Sequence, residues 1–537
     1  MAVSRSRERD TMLLPETSAL PPTDSKEASV AATTLHELIQ AGADAAPALS
    51  SPGGVPLTFQ ALRALTERTI ASLNARGIGR GDRVAIVLPN GPEMAAAFIA
   101  VAAGTTSAPL NPSYKADEFE FYMSDLGAKL LLVAEGSDSP AIAVAEKLGV
   151  SVARLRPTPE EGAGSFTLHF ADDATGEPAR GGRAETDDIA LVLHTSGTTS
   201  RPKIVPLTQG NVCASARNIR TALAFGSEDR GLNIMPLFHI HGLIAGILAP
   251  LSAGGQVSCT PGFNALKFFG WMDEVNPTWY TGVPTMHQAI LGRAARNAEI
   301  IARNPLRFIR SSSSSLPPQV MKELEDTFGA PVIEAYGMTE AAHQMASNPL
   351  PPRPHYAGSV GLAAGPEIAV VDIDGEPLPA GETGEIVIRG DNVMKGYENN
   401  DKANAEAFTR QGWFRTGDQG VLSPEGYLSI TGRLKEIINR GGEKISPREV
   451  DEILMDHPAV SQCVTFAVPH DKLGEDVAAA IVLREGAEAL EKEIRSFASE
   501  RLAAFKVPAK ILILDEIPKG ATGKLQRIGL AQKLGLA

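Results

Sequence analysis

The sequence predicts a large α/β protein followed by a small α+β unit. Three observations carry the prediction: two blocks in which strand-like apolar runs alternate with helix-like ones, a change near Gly358 to short β runs punctuated by turn signals, and a third block after about Arg433. The expectation is a large N-terminal domain of two layered α/β subdomains plus a small β-barrel-like region, then a small α+β C-terminal domain. At 537 residues the chain exceeds what one hydrophobic core organises. The expected divisions are a flexible leader at 1–30, the large domain at 31–432 and the small domain at 433–537.

The leader mixes charges, Pro and Ser without a continuous apolar centre, which is unlike a secretory signal. "RVAIVLPN" from Arg83 then reads as a strand, and Pro92 suits the first position of the helix "EMAAAFIAVAAG". "SAPLNP", the helical "ADEFEFYMSDLGA" and "KLLLVAE" continue the alternation, which implies a parallel sheet covered by helices. The rhythm returns after Asp188 with "DIALVLHTS", the helix "NVCASARNIRTALAF", the strand "GLNIMPL" and the buried helix "HGLIAGILAPLSAGG". "EIAVVDIDGEPLPAGETGEIVIRG" supplies the antiparallel β region through its Asp-Gly and Pro-Ala-Gly turns. In the last block Ser446, Pro447 and Glu449 predict a capping box opening a helix through Met455. "AVSQCVTFAV", "VAAAIVLRE", the helix "ALEKEIRSFASERLAAF" and "AKILILDEI" complete it.

Fifty basic against sixty-three acidic residues give a net charge of -13, which argues against nucleic acid or an anionic membrane surface as a partner. No apolar run approaches the roughly 20 residues that span a bilayer. Three widely spaced cysteines, Cys213, Cys259 and Cys463, suit reduced thiols and a cytoplasmic location better than a disulfide scaffold.

The chemistry-bearing stretches start with "HTSGTTSRPK", in which Thr195, Ser196, Gly197, Thr198 and Thr199 could bring N–H groups and hydroxyls to phosphate oxygens while Lys203 adds charge. Residue types alone leave a polar surface loop open. Four further stretches follow in order: "EAYGMTE" (334–340), "WFRTGD" (413–418), "GRLKEIINRGGEKISP" (432–447) and "PKGATGKLQR" (518–527). Together the five resemble the adenylate-forming acyl-CoA synthetase superfamily, over nearly everything from about residue 35 onward. One departure is Ile204, where most relatives carry Gly.

The resemblance implies ATP, Mg²⁺ and coenzyme A as reactants and cofactor, with a small carboxylic acid as the partner to be activated. It implies a nucleotide site of the phosphate loop with Glu334, Ala335, Tyr336, Gly337, Thr339, Asp418 and Arg433. Tyr336 would pack on adenine, Asp418 would hold the ribose with Arg433 beside it, and Thr339 would contact the α-phosphate. Glu340 would hold Mg²⁺ and Lys524 would bridge the acid and the α-phosphate. Lys435 matches the hinge of a mobile C-terminal lobe, and Arg440, Gly441, Gly442 and Lys444 would face coenzyme A. From Gly432 to Arg448 five basic residues stand against two acidic ones, a locally positive strip in an acidic chain.

"PLFHIHG", "FIRSSSSSLPP" and "YGMTEAAHQMASNPLP" further resemble oxalate-CoA ligases. A short dianion needs hydrogen-bond donors and protonatable groups where a long-chain acid needs an apolar tunnel. By that resemblance His239, Ser313 and His343 would hold the second carboxylate. On residue type alone His239 could be a core histidine beside His241, Ser313 a turn residue, and His343 a surface group. A helical segment would place Glu340 and His343 on one face. The expected reaction is oxalate, ATP and CoA to oxalyl-CoA, AMP and diphosphate. Malonyl-CoA synthetase or another short-chain or fatty acyl-CoA synthetase is the near alternative. A nucleotide-binding regulator without turnover is the distant one, against which Glu340 and Lys524 stand.

Overall fold

In the computed structural model, residues 31–172, 174–195, 202–518, 525 and 527–537 are described. A seven-stranded sheet takes the first α/β block, with Arg83–Val87 at its centre between Thr106–Pro109 and Leu130–Ala134, all parallel. Pro92–Ala102 is the expected helix with Pro at its start, and it is buried on every side, which explains its apolar composition. Ile189–His194 pairs antiparallel with Ile204–Thr208, the last paired residues being His194 and Ile204.

A nine-stranded sheet takes the second block. Its centre runs Val332–Met338, Phe308–Ser311, Trp279–Gly282, Arg230–Asn233, Gln256–Cys259 and Pro47–Ser50, all parallel. Helix Pro318–Phe328 packs Val320, Met321, Leu324 and Phe328 against this sheet at helical spacing. The buried helix expected at "HGLIAGILAPLSAGG" is a π-helix over His241–Leu248, closing with a short α-turn. Gly242 there lies so close to Pro236 that a Cβ would fall 2.2 Å from its carbonyl oxygen.

Glu367–Val371, Thr383–Arg389, Phe414–Leu422 and Leu428–Arg433 form a four-stranded antiparallel meander. The last sheet builds on the long hairpin Val460–His470 and Gly474–Leu483, with Lys510–Ile513 parallel to its second strand. Helix Pro447–Met455 covers it, yet the expected capping box is absent. The Ser446 hydroxyl instead donates to the Thr431 carbonyl, so a bond to the preceding sheet outcompetes the local cap. The following helix stops at Ser499, short of the expected Phe505, because Leu502 and Phe505 turn into the core.

Among the described residues no helix is long and apolar enough to cross a membrane. The three cysteines are buried thiols. Leu324 is fully buried within the Pro318–Phe328 cluster. Leu324→Ala is therefore expected to destabilise this part of the chain by about 2–5 kcal/mol, read as a lower midpoint in chemical denaturation.

Candidate active site

The strand Arg230–Asn233 sits where the nine-stranded sheet reverses direction, since Gln256–Cys259 follows on one side and Trp279–Gly282 on the other. Ligands of open α/β sheets gather beyond the strand carboxyl ends at such a point. A cavity of about 370 Å³ opens there. Its walls carry His239 from beyond Arg230–Asn233, Ser313, Ser314 and Ser315 from beyond Phe308–Ser311, and residues 334–340 from Val332–Met338 and its turn. The antiparallel meander adds Asp418 and Arg433, and Thr195 enters from the end of Ile189–His194.

The hairpin around residue 340 departs from the helical expectation. Val332–Met338 pairs antiparallel with His343–Ser347, and Thr339–Ala341 is a single 3₁₀ turn between them. Ala342 and His343 then take φ values of 47° and 98°, so Glu340 and His343 share a reversing turn and not a helix face. Both still line the cavity. The turn is fastened from behind: Asn392 Nδ2 donates to the carbonyls of Ala341 and Gln344 at 2.7 and 2.9 Å, and the Met394 N–H donates to the Glu340 carbonyl at 2.8 Å.

On the nucleotide-like side, the Tyr336 hydroxyl donates to Asp418 Oδ2, and Arg433 Nε donates to Asp418 Oδ1 at 2.9 Å. Burial and the Asp418 charge push the Tyr336 phenol well up, so it stays a donor. Each carboxylate oxygen of Asp418 keeps a lone pair for an incoming hydroxyl. Tyr397, which sequence reasoning passed over, donates to Glu340 Oε1 at 2.8 Å and lies beneath Lys203, whose Nζ is 4.3 Å from the ring centroid. Burial raises the Glu340 carboxyl above its ordinary range. Glu334 is also buried, with Oε1 accepting from the Leu316 N–H at 2.9 Å, and burial lifts its pKa from the ordinary 4.5 to about 7.

His241 does not itself line the cavity but touches residues that do. Its ring stacks on His343 with centroids 4.8 Å apart, and its Nδ1 lies 3.0 Å from Ser313 Oγ. Its backbone N–H reaches His239 Nδ1 at 3.3 Å. Ser313 has a φ of 73°, a second non-glycine residue in the left-handed region on the cavity wall, and such backbone clusters at functional sites. The "HIH" spacing marked His241; nothing in the local sequence marked Tyr397.

Not every expected residue converges. Lys203 is not on the cavity wall, although its N–H donates to Thr195 Oγ1 at 3.1 Å. Lys435 lines a separate cavity beside Glu436. Arg440 pairs with Asp476 at 2.6 Å, Gly441 and Gly442 turn the hairpin beyond it, and Lys444 is exposed. Ser196, Gly197, Thr198, Thr199 and Lys524 lie outside the described residues. Leu525 and Arg527, flanking the last of these, do line the cavity. Arg527 donates to Asp451 and, at 3.3 Å, to Glu436. Among the described residues no group of three or more His, Cys, Asp or Glu side chains is arranged to hold a metal by itself.

Residues 39–398 match the family described as AMP-binding enzyme, and residues 449–524 match the AMP-binding enzyme C-terminal domain. An oxalate–CoA ligase of Arabidopsis thaliana is 48% identical over 90% of this chain and 95% of its own length. An oxalate–CoA ligase of Saccharomyces cerevisiae is 42% identical over 84% of this chain and 87% of its own. The crystal structure of ATP-bound MatB from Rhodopseudomonas palustris superposes with a TM-score of 0.83 at 28% identity, covering 93% of this chain and 98% of that one.

The protonated Glu334 gives a pH signature. A carboxyl whose folded pKa lies above its unfolded value contributes stability below about pH 4.5 and loses it as pH rises through about 7. Glu334→Gln mimics the protonated form. Its thermal midpoint should match the wild type near pH 4.5, exceed it by a margin that grows as pH rises from about 4.5 to about 7, and keep that margin above pH 7, measured on the ligand-free protein.

Proposed function

This chain belongs to the AMP-binding enzyme family, the AMP-forming acid–CoA ligases that act through an acyl-adenylate, and we propose that the acid it activates is oxalate. One observation carries the choice: the cavity that carries Tyr336 and Asp418 is also lined by His239, Ser313 and His343, groups that offer hydrogen bonds to a second carboxylate. The 48% and 42% identities to two oxalate–CoA ligases support the same reading.

In the proposed first half-reaction, a carboxylate oxygen of oxalate attacks the α-phosphorus of ATP, the bond to the bridging oxygen breaks, and diphosphate leaves. Tyr336 stacks on adenine and Asp418 accepts from the ribose hydroxyls with lone pairs left over from Tyr336 and Arg433. Thr339 donates to the α-phosphate, and Lys524 bridges it to the attacking carboxylate. His239, Ser313 and His343 hold the distal carboxylate, which lowers the cost of bringing a dianion against a polyphosphate.

A single carboxylate suits Mg²⁺, which keeps waters and phosphate oxygens as its other ligands, so Glu340 fits the ion although no all-protein cage is built. Bound there, Mg²⁺ would neutralise charge that develops on the phosphates. In the second half-reaction the CoA sulfur attacks the oxalyl carbonyl carbon and AMP leaves. Lys435, Arg440, Gly441, Gly442 and Lys444 are assigned to that step, with Lys435 as the hinge. None of these five borders the main cavity, which fits a role after the small lobe, residues 433–537, has turned.

A CoA-thioester assay with oxalate, malonate, acetate and octanoate should rank oxalate first; preference for octanoate would sink the polar-wall reading, and preference for malonate would move the assignment by one methylene. Asp418→Asn should raise the KM for ATP about 10- to 100-fold by weakening two charge-assisted bonds, with a smaller effect on the KM for the acid. Lys524→Ala should abolish diphosphate release while sparing thioester formation from supplied oxalyl-adenylate, and equal loss of both steps would remove its assigned role.

A further inference from the structure

Behind Ser313 lies a cation that the steps above leave without a task. Arg310, on the strand Phe308–Ser311, is fully buried, and its register partner on the neighbouring strand is Thr281. Among the described residues no carboxylate pairs with it. Nη1 donates toward His241 Nε2 at 3.2 Å, Nη2 donates to Gln344 Oε1 at 3.3 Å, and Nε has no hydrogen-bond partner. A buried guanidinium with only neutral neighbours is costly to the fold. Burial draws its pKa down to about 9, which still leaves it charged at neutral pH.

A guanidinium can only donate, so its position dictates which way the chain of bonds runs. Nε2 of His241 faces the donor-only guanidinium of Arg310 at 3.2 Å, and the Thr281 hydroxyl lies 2.7 Å from the same nitrogen, so its single lone pair is the acceptor the two share. A nitrogen that accepts carries no proton, which leaves the ring proton on Nδ1. Nδ1–H therefore donates to Ser313 Oγ over 3.0 Å. With Oγ accepting from behind, the Ser313 hydroxyl turns its own proton toward the cavity it lines.

We propose that Arg310 and His241 are positioning residues for the acid: they lock Ser313 as a hydrogen-bond donor aimed at the distal carboxylate of a two-carboxylate substrate, and Arg310 supplies the buried counter-charge for that carboxylate. The proposal rests on the small-diacid reading of this site and extends it to two residues that do not touch the substrate. It explains why an uncompensated cation is kept one imidazole away from the wall. The neutral tautomer also gives His241 a fixed polarity that a merely space-filling histidine would lack.

The test compares oxalate with oxamate, its monoamide of nearly the same shape, using the full-length protein with diphosphate release as the readout. Arg310→Met should raise the KM for oxalate about 10- to 100-fold while the oxamate inhibition constant and the KM for ATP stay within a factor of about three, and Arg310→Lys should recover part of the loss. His241→Met leaves only a weak acceptor for Arg310 and no donor to Ser313, and should reproduce the oxalate-selective loss even where Arg310→Met fails to fold. Equal weakening of oxalate and oxamate, or no weakening of either in folded variants, overturns the relay. A wild type that prefers malonate is tested against malonamate in the same way. A wild type that turns over only monocarboxylic acids overturns the diacid reading itself, and the relay with it.

Discussion

The passage of Gly337 beneath the His343 carbonyl is the constraint on which the site depends. A Cβ at residue 337 would stand 1.9 Å from that oxygen, so only glycine lets the outgoing and returning strands of this hairpin come so near. The register slips between Tyr336 and Gly337, and the chain reverses within one 3₁₀ turn. Of this hairpin's cavity residues, 334–340 sit before the reversal and His343 sits after it. Asn392 and Met394 then hold the turn by its backbone, which frees the side chains of Thr339 and Glu340 for the cavity.

Electrostatics in the cavity follow from pairing more than from total charge. A chain with a net charge of -13 places Asp418 between a phenol and a guanidinium, and gives Glu340 a phenol with a lysine on that phenol's other face. Each acid is thereby held by a donor that leaves part of its lone-pair capacity unused. Behind Ser313 the arrangement is reversed, with a cation buried among neutral acceptors. The cavity thus carries acids already engaged by donors, and a hydroxyl and imidazoles beside them.

Much of the fold was legible because its signals are local and periodic. The Pro-led, wholly apolar stretch became Pro92–Ala102, and the long β runs after residue 459 became the hairpin Val460–His470 and Gly474–Leu483. What escaped was decided by tertiary contacts: Ser446 bonded to Thr431 instead of capping its helix, and the turn after Glu340 was shaped by Asn392, 52 positions further on. The site divided the same way. Motif residues such as Tyr336, Asp418 and His343 converge, whereas Tyr397 and Arg310 matter through partners 57 and 69 residues away, which no spacing rule reveals.

The strand ends that feed the cavity divide its lining between two sheets. Asp418 and Arg433 come from the antiparallel meander, while His239 and Ser313 come from loops beyond two parallel strands of the nine-stranded sheet, and only the hairpin around residue 340 contributes to both sets. A substitution in either loop would change the cavity lining there and leave the Tyr336–Asp418–Arg433 chain of bonds in place, because no strand is shared between the two.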